Sequence, residues 1–140
     1  MKGGENFKVI PEFWNDMNNS STGELLEGLA IDFGMLGICM HFSPEQDSFT
    51  YFIGIEKGAH GLPQGLEVEE IPSSTWAVFD VTGAMPDAIQ DMTKKIHAEW
   101  FPATGYQHAG TPEMEVYLPQ EISPNSAGYR TQIWIPVVKK

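Results

Sequence analysis

Residues 113–138 read EMEVYLPQEISPNSAGYRTQIWIPVV, two alternating runs held apart by a stretch rich in turn-forming residues. Glu113 to Leu118 and Tyr129 to Val138 have strand character, because apolar or β-branched residues recur there at every second position. Successive side chains of a strand point to opposite faces of a sheet. Met114, Val116 and Leu118 therefore separate from Glu113, Glu115 and Tyr117. In the last run Thr131, Ile133 and Ile135 separate from Arg130, Gln132 and Trp134. The intervening PQEISPNSAG is a loop, so the two runs form a hairpin that needs cover on its apolar face.

Working upstream, Ser74 to Thr82 (STWAVFDVT) is a further strand, punctuated by Gly83. Pro86 opens a helix running to about Phe101, with Ile89, Met92, Ile96 and Trp100 in one stripe and Pro102 as its stop. Gly34 to Phe42 and Phe49 to Lys57 form another antiparallel hairpin around SPEQDS. Ahead of it, Pro11 opens a helix with Ile10, Phe13, Trp14 and Met17 at helical spacing. Asn18 to Ser21 breaks that helix. A short helical turn follows from Gly23 to Leu29, capped by Thr22 and packing Leu25, Leu26 and Leu29. Residues 1–9 are polar and expected to be loosely held. Residues 58–73 hold three glycines and two prolines and read as a linker. It is not a domain boundary, since neither flank alone buries its aromatics.

The order is helix-strand-strand, then strand-helix-strand-strand, and each half ends in a hairpin closed by lysine. The predicted fold is α+β: one domain over residues 1–140, made of two βαββ units of SHS2 type at about 8–57 and 67–140. The units form a curved antiparallel sheet with helices on one face. The first unit lacks its opening strand. The unpaired edge left behind is open to Asn6–Ile10, to a partner chain as in a homodimer, or to nothing.

At 140 residues, 41% apolar and 11% aromatic, the chain supports one folded core. Eight basic against nineteen acidic residues give a net charge of −11, which repels phosphate backbones and excludes autonomous nucleic-acid binding. No run of about 18 apolar residues spans a membrane, and the N-terminus has no secretory pattern. Cys39 is the only cysteine, which fits a reducing cytoplasm and a buried thiol. His41, His60, His97 and His108 have no metal-ligand spacing, and no nucleotide or nucleophile motif is present, so neither metal nor cofactor is expected.

With Ile133, Ile135, Tyr51, Ile53 and Ile55 set beneath the helices, the opposite face of the sheet offers Phe52, Glu56, Trp76, Glu115, Tyr117, Gln132 and Trp134. A cup of rings with a carboxylate suits cations: each ring face contributes about 0.5–2 kcal/mol to a positive charge. A carboxylate buried alone is costly until a cation enters. Trp14 and Trp100, on helical stripes, are assigned to the core.

FTYFIGIEK, GLEVEEIPSSTWAVFDVTGAMPDAI, AEWFPATGY, PEMEVYLP and QIWIPV occur in this order and resemble the gyrase-inhibitor-like (GyrI-like) family. These are small-molecule-binding domains attached to bacterial AraC-type and MerR-type regulators and also found alone. The likeness covers about Phe49 to Lys140. It implies a cleft between two βαββ units that binds bulky, hydrophobic, often cationic drugs and dyes. It further implies that Glu115 meets the ligand's charge. A second acidic position of the family is Gln132 here, and Trp76, Tyr117 and Trp134 correspond to its aromatics. The chain carries no helix-turn-helix, so the expected role is a stand-alone sensor or sequestering module, with any regulator acting in trans. Two alternatives stand beside it. One is a hydrolase of reactive hydrophobic electrophiles, with Glu115 activating water and Tyr117 or Tyr51 donating a hydrogen bond. The other is an acidic module that occupies a nucleic-acid enzyme.

Overall fold

The computed structural model describes residues 6–29, 34–43, 48–56 and 69–140. The first five residues, the tip of the first hairpin and most of the glycine-proline stretch lie outside them. Two helices, α1 (Asn6–Asn18) and α2 (Ser21–Leu29), lead into strands β1 (Met35–Ser43) and β2 (Ser48–Gly54). Strand β3 (Thr75–Thr82) then precedes α3 (Asp87–Lys95). That helix continues through a π-helical turn, Ile96–Trp100, into a last short turn, α4 (Phe101–Ala103). Strands β4 (Tyr106–His108), β5 (Glu113–Tyr117) and β6 (Arg130–Lys139) complete a mixed α+β fold with one six-stranded antiparallel sheet.

The sheet order is β2-β1-β5-β6-β3. β6 is its spine: β3 pairs along it from Arg130 to Val137, while β5 and β4 share its other side in succession. The two hairpins meet where β1 pairs with β5, with Gly37 opposite Glu115. No strand precedes α1 among the described residues, and Asn6–Ile10 is helical, so it does not fill the edge beside β2.

Cross-strand partners point to the same face, so the register sorts the sheet. Glu115 stands opposite Ile133 and Cys39 opposite Tyr51. On that face Val81, Ile133, Ile135 and Val137 pack with Ile89 and Ile96 of the second helical segment. The predicted stripe is realised, with Met92 and Trp100 completing it. The wider π turn, in which the Phe101 N–H reaches the Ile96 carbonyl, sets Trp100 edge-on to Phe79, with ring centres 5.1 Å apart. On the opposite face Leu36, Ile38, Met40 and Val116 form a second cluster with Phe52, Met114 and Trp134.

Some local details differ from the sequence reading. α1 begins five residues before Pro11 and carries it inside, forgoing one ladder bond. Ser20, not Thr22, caps α2: its hydroxyl accepts the Gly23 N–H at 3.0 Å. Within α2, Leu26 is buried but Leu25 is exposed. β2 stops at Gly54 rather than Lys57. The short strand β4 went unpredicted.

Candidate functional site

α1 lies over the first hairpin and α3 over the second, and the space between them is a cleft of about 520 Å³. That volume suits a drug-sized molecule. Its floor is sheet: Glu115 and Tyr117 from β5, Ile133 and Ile135 from β6. Ile10, Pro11 and Trp14 line one wall; Ile89, Gln90 and Thr93 line the other. The apolar stripe of each helix thus divides its duty between core and cleft.

Four side chains form a directed chain of hydrogen bonds on this floor. The Trp14 indole N–H donates to the Tyr51 hydroxyl at 2.7 Å, and Tyr51 donates to Glu115 Oε1 at 2.7 Å. The Tyr117 hydroxyl donates to the same oxygen at 3.1 Å. Glu115 Oε2 makes no hydrogen bond among the described residues, yet it is not sealed from the cavity. Trp14 also lies against Tyr117, with ring centres 4.7 Å apart. The arrangement requires glycine at position 37. A Cβ there would collide with the Tyr51 hydroxyl and stand 2.9 Å from Glu115 Oε1.

Burial raises the pKa of Glu115 above the ordinary carboxylate range; the two tyrosine hydrogen bonds oppose this, and nearby Glu113 adds to it. Burial, followed by the Glu115 charge, pushes Tyr51 and Tyr117 well above the usual phenol range, so both remain donors. Cys39, on the cleft wall, is held high by burial and by the Glu113 and Glu115 carboxylates, which leaves its thiol protonated and unreactive. Glu113 is braced from outside: His108 Nε2 lies 3.1 Å from its Oε2, while the Gly110 N–H donates to His108 Nδ1. Since Nδ1 accepts, the ring proton sits on Nε2 and points at Glu113. Gly110 permits this turn through its φ of 84°.

The structure brings Glu115 and Tyr117 together but separates them from the other expected site residues. Trp76, Trp134, Gln132 and Phe52 lie on the sheet's opposite face. There the two tryptophans meet at 5.8 Å and Phe52 joins the second apolar cluster. Trp134 donates to Gln132, which donates to Asp80, each at 3.0 Å. Glu56 follows β2, half-buried, and lines neither cavity. The expectation of a single face holding all seven fails on register: the glutamates share their face with the isoleucines, beneath the helices rather than away from them. Sequence reasoning missed Trp14, Cys39 and Gly37, and named Tyr51 only as a donor in the hydrolase alternative. The available signal was a hydroxyl-bearing ring, Tyr51, on a face otherwise read as isoleucine.

A second hollow of about 470 Å³ adjoins the first and shares Trp14, Asn18, Met85 and Tyr117 with it. Among the described residues no group of three or more His, Cys, Asp or Glu is placed to hold a metal ion. Nor is any helix among them long and apolar enough to cross a membrane.

Residues 2–137 match the family model described as Cass2, integron-associated effector binding protein. Among solved structures, the chain is similar to SAV2435 bound to tetraphenylphosphonium, with 25% identity and a TM-score of 0.80. The match covers 98% of this chain and 82% of that one. It also shares its fold with a putative bacterial transcription regulation protein from Staphylococcus aureus MU50, at 24% identity and a TM-score of 0.78, over 97% of this chain and 84% of the other. No curated protein matches.

Proposed function

The chain belongs to the family of integron-associated effector binding proteins, and on that premise we propose that its cleft takes amphipathic, drug-sized cations, as a sensor or a sequestering module. Glu115 meets the positive charge, Trp14 and Tyr117 supply ring surface around it, and the buried Tyr51 holds Oε1 in place. One observation carries this reading. Glu115 is set into an apolar cleft floor with both tyrosine hydroxyls on Oε1, and Oε2 is left for a guest. Among the described cleft-lining residues there is no lysine or arginine to neutralise it. An ionised carboxylate so placed lacks a counter-charge, and a cation supplies one. Neutral molecules of the same shape gain only the ring contacts. That SAV2435 holds tetraphenylphosphonium agrees with this chemistry.

Tetraphenylphosphonium is accordingly the probe, titrated calorimetrically and followed by the fluorescence of Trp14 in the cleft wall. Glu115→Gln keeps an acceptor for both hydroxyls while removing the charge. It is expected to weaken binding by about tenfold or more, the equivalent of ~1.4 kcal/mol. Equal affinity for parent and variant would end the charge-recognition account.

The same geometry favours a second reading, a hydrolase of reactive hydrophobic electrophiles. A carboxyl group of raised pKa flanked by two phenol donors is equipped for acid-base work. Mass spectrometry of a strained electrophile incubated with parent and Glu115→Gln separates the two: a hydrolysed product formed only by the parent makes the protein an enzyme.

A further inference from the structure

We infer that the second hollow is a subsite for the apolar arm of an elongated cation, so that long-tailed amphiphiles are preferred over compact ions. This deepens the cation-binding reading and rests on it. The two hollows are of similar size and have common walls in Trp14, Asn18, Met85 and Tyr117. Adjoining across these side chains, they make one trough with a waist on this reading. Their chemistry differs on either side of that waist. The first contains Glu113 and Glu115; among the described residues the second has no carboxylate and no basic group, and is walled by Met35, Leu118, Pro119, Ile122, Pro124 and Tyr129. Among the described residues a charged head has a carboxylate partner only in the first, and a hydrocarbon arm in the second meets mostly apolar side chains, beside a Gln120 amide already bonded to the loop backbone.

The far wall of this second lobe is held in place, not merely adjacent. Gln120 donates to the Leu118 and Arg130 carbonyls and accepts the Arg130 N–H at 3.1 Å, so its amide serves the loop. The Met85 N–H donates to the Pro124 carbonyl at 2.8 Å, and the Gly83 N–H to that of Tyr129 at 2.9 Å. These bonds fix residues 118–130 against the approach to α3. At the waist, Met85 is unbranched and adaptable, the side-chain type that yields to arms of varying thickness. Ile122 remains 41% exposed. Its apolar surface finds a use if an arm runs alongside it.

The test is a series of alkyltriphenylphosphonium ions that share one head, from methyl through butyl and octyl to decyl, titrated into the parent and into Ile122→Asp. Position 122 is exposed, so the substitution leaves the fold intact, and the added negative charge does not oppose a cationic head. In the parent, affinity is expected to climb roughly three- to fourfold per buried methylene over the first several carbons. Ile122→Asp is expected to flatten the climb without weakening methyltriphenylphosphonium. A parent that binds the methyl compound but gains nothing from longer arms overturns the inference while leaving the cation reading intact. A climb of equal slope in Ile122→Asp overturns it too. Failure of the whole series to bind removes the cation reading, and the subsite with it.

Discussion

Glu115 ties the chemistry of this protein to its acid-base behaviour. Burial raises its pKa, so the folded chain keeps this proton at a pH where the unfolded chain has lost it. Between the ordinary glutamate value, about 4.3, and the raised one, the native state binds more protons, and stability falls as pH rises. Above the raised value the penalty is constant. On the proposed reading cation affinity has the opposite sign: it needs the ionised form and is expected to be lost as pH is lowered through that same raised value. Denaturant melts and tetraphenylphosphonium titrations from about pH 4 to about pH 8 should show both trends in the parent and their absence in Glu115→Gln. A parent affinity independent of pH over that range contradicts the burial argument. The sequence made Glu115 legible as a strand residue of the right chemistry. It did not disclose Tyr51 and Trp14 as partners, because a hydrogen bond across 64 residues leaves no trace in local periodicity.

Among the elements, β6 is the spine of the sheet, with Ile133, Ile135 and Val137 buried in the core and Thr131 beside them. Ile135 is 1% exposed, and Ile135→Ala is expected to cost about 2–5 kcal/mol in a denaturant melt through the cavity it leaves. Thr131 is different: its Oγ1 is buried with no hydrogen-bond partner among the described residues. Thr131→Val keeps the shape and removes that hydroxyl, so it should stabilise by about 1 kcal/mol. A destabilised valine variant would mean the hydroxyl has a partner. Alternation had sorted each strand correctly into two faces. What it lacked was parity between strands: whether Glu115 shares a side with Ile133 or with Trp134 depends on register, which Pro119 to Gly128 does not encode in any local pattern. Taking the helix side as wholly filled then placed the cup on the wrong face. β4 escaped notice because three residues are too few to display a period.

For the molecule as a whole, composition predicted much of the outcome. Apolar content and hairpin order gave an α+β sheet, in which the two hairpins join at β1 and β5. That junction has a mechanical consequence. Glu115 lies on it, α1 comes from the first half and α3 from the second, so a guest in the proposed cleft would grip both at once. It would act as a splint, its affinity adding cohesion to parts already joined by the β1–β5 pairing, the second apolar cluster and the Tyr51–Glu115 hydrogen bond. Calorimetric melting should shift upward with tetraphenylphosphonium, by about 2.7 kcal/mol at a hundredfold excess over the dissociation constant. Both halves should melt together in its presence, and a transition that splits in two under saturating ligand would show that the guest grips only one of them.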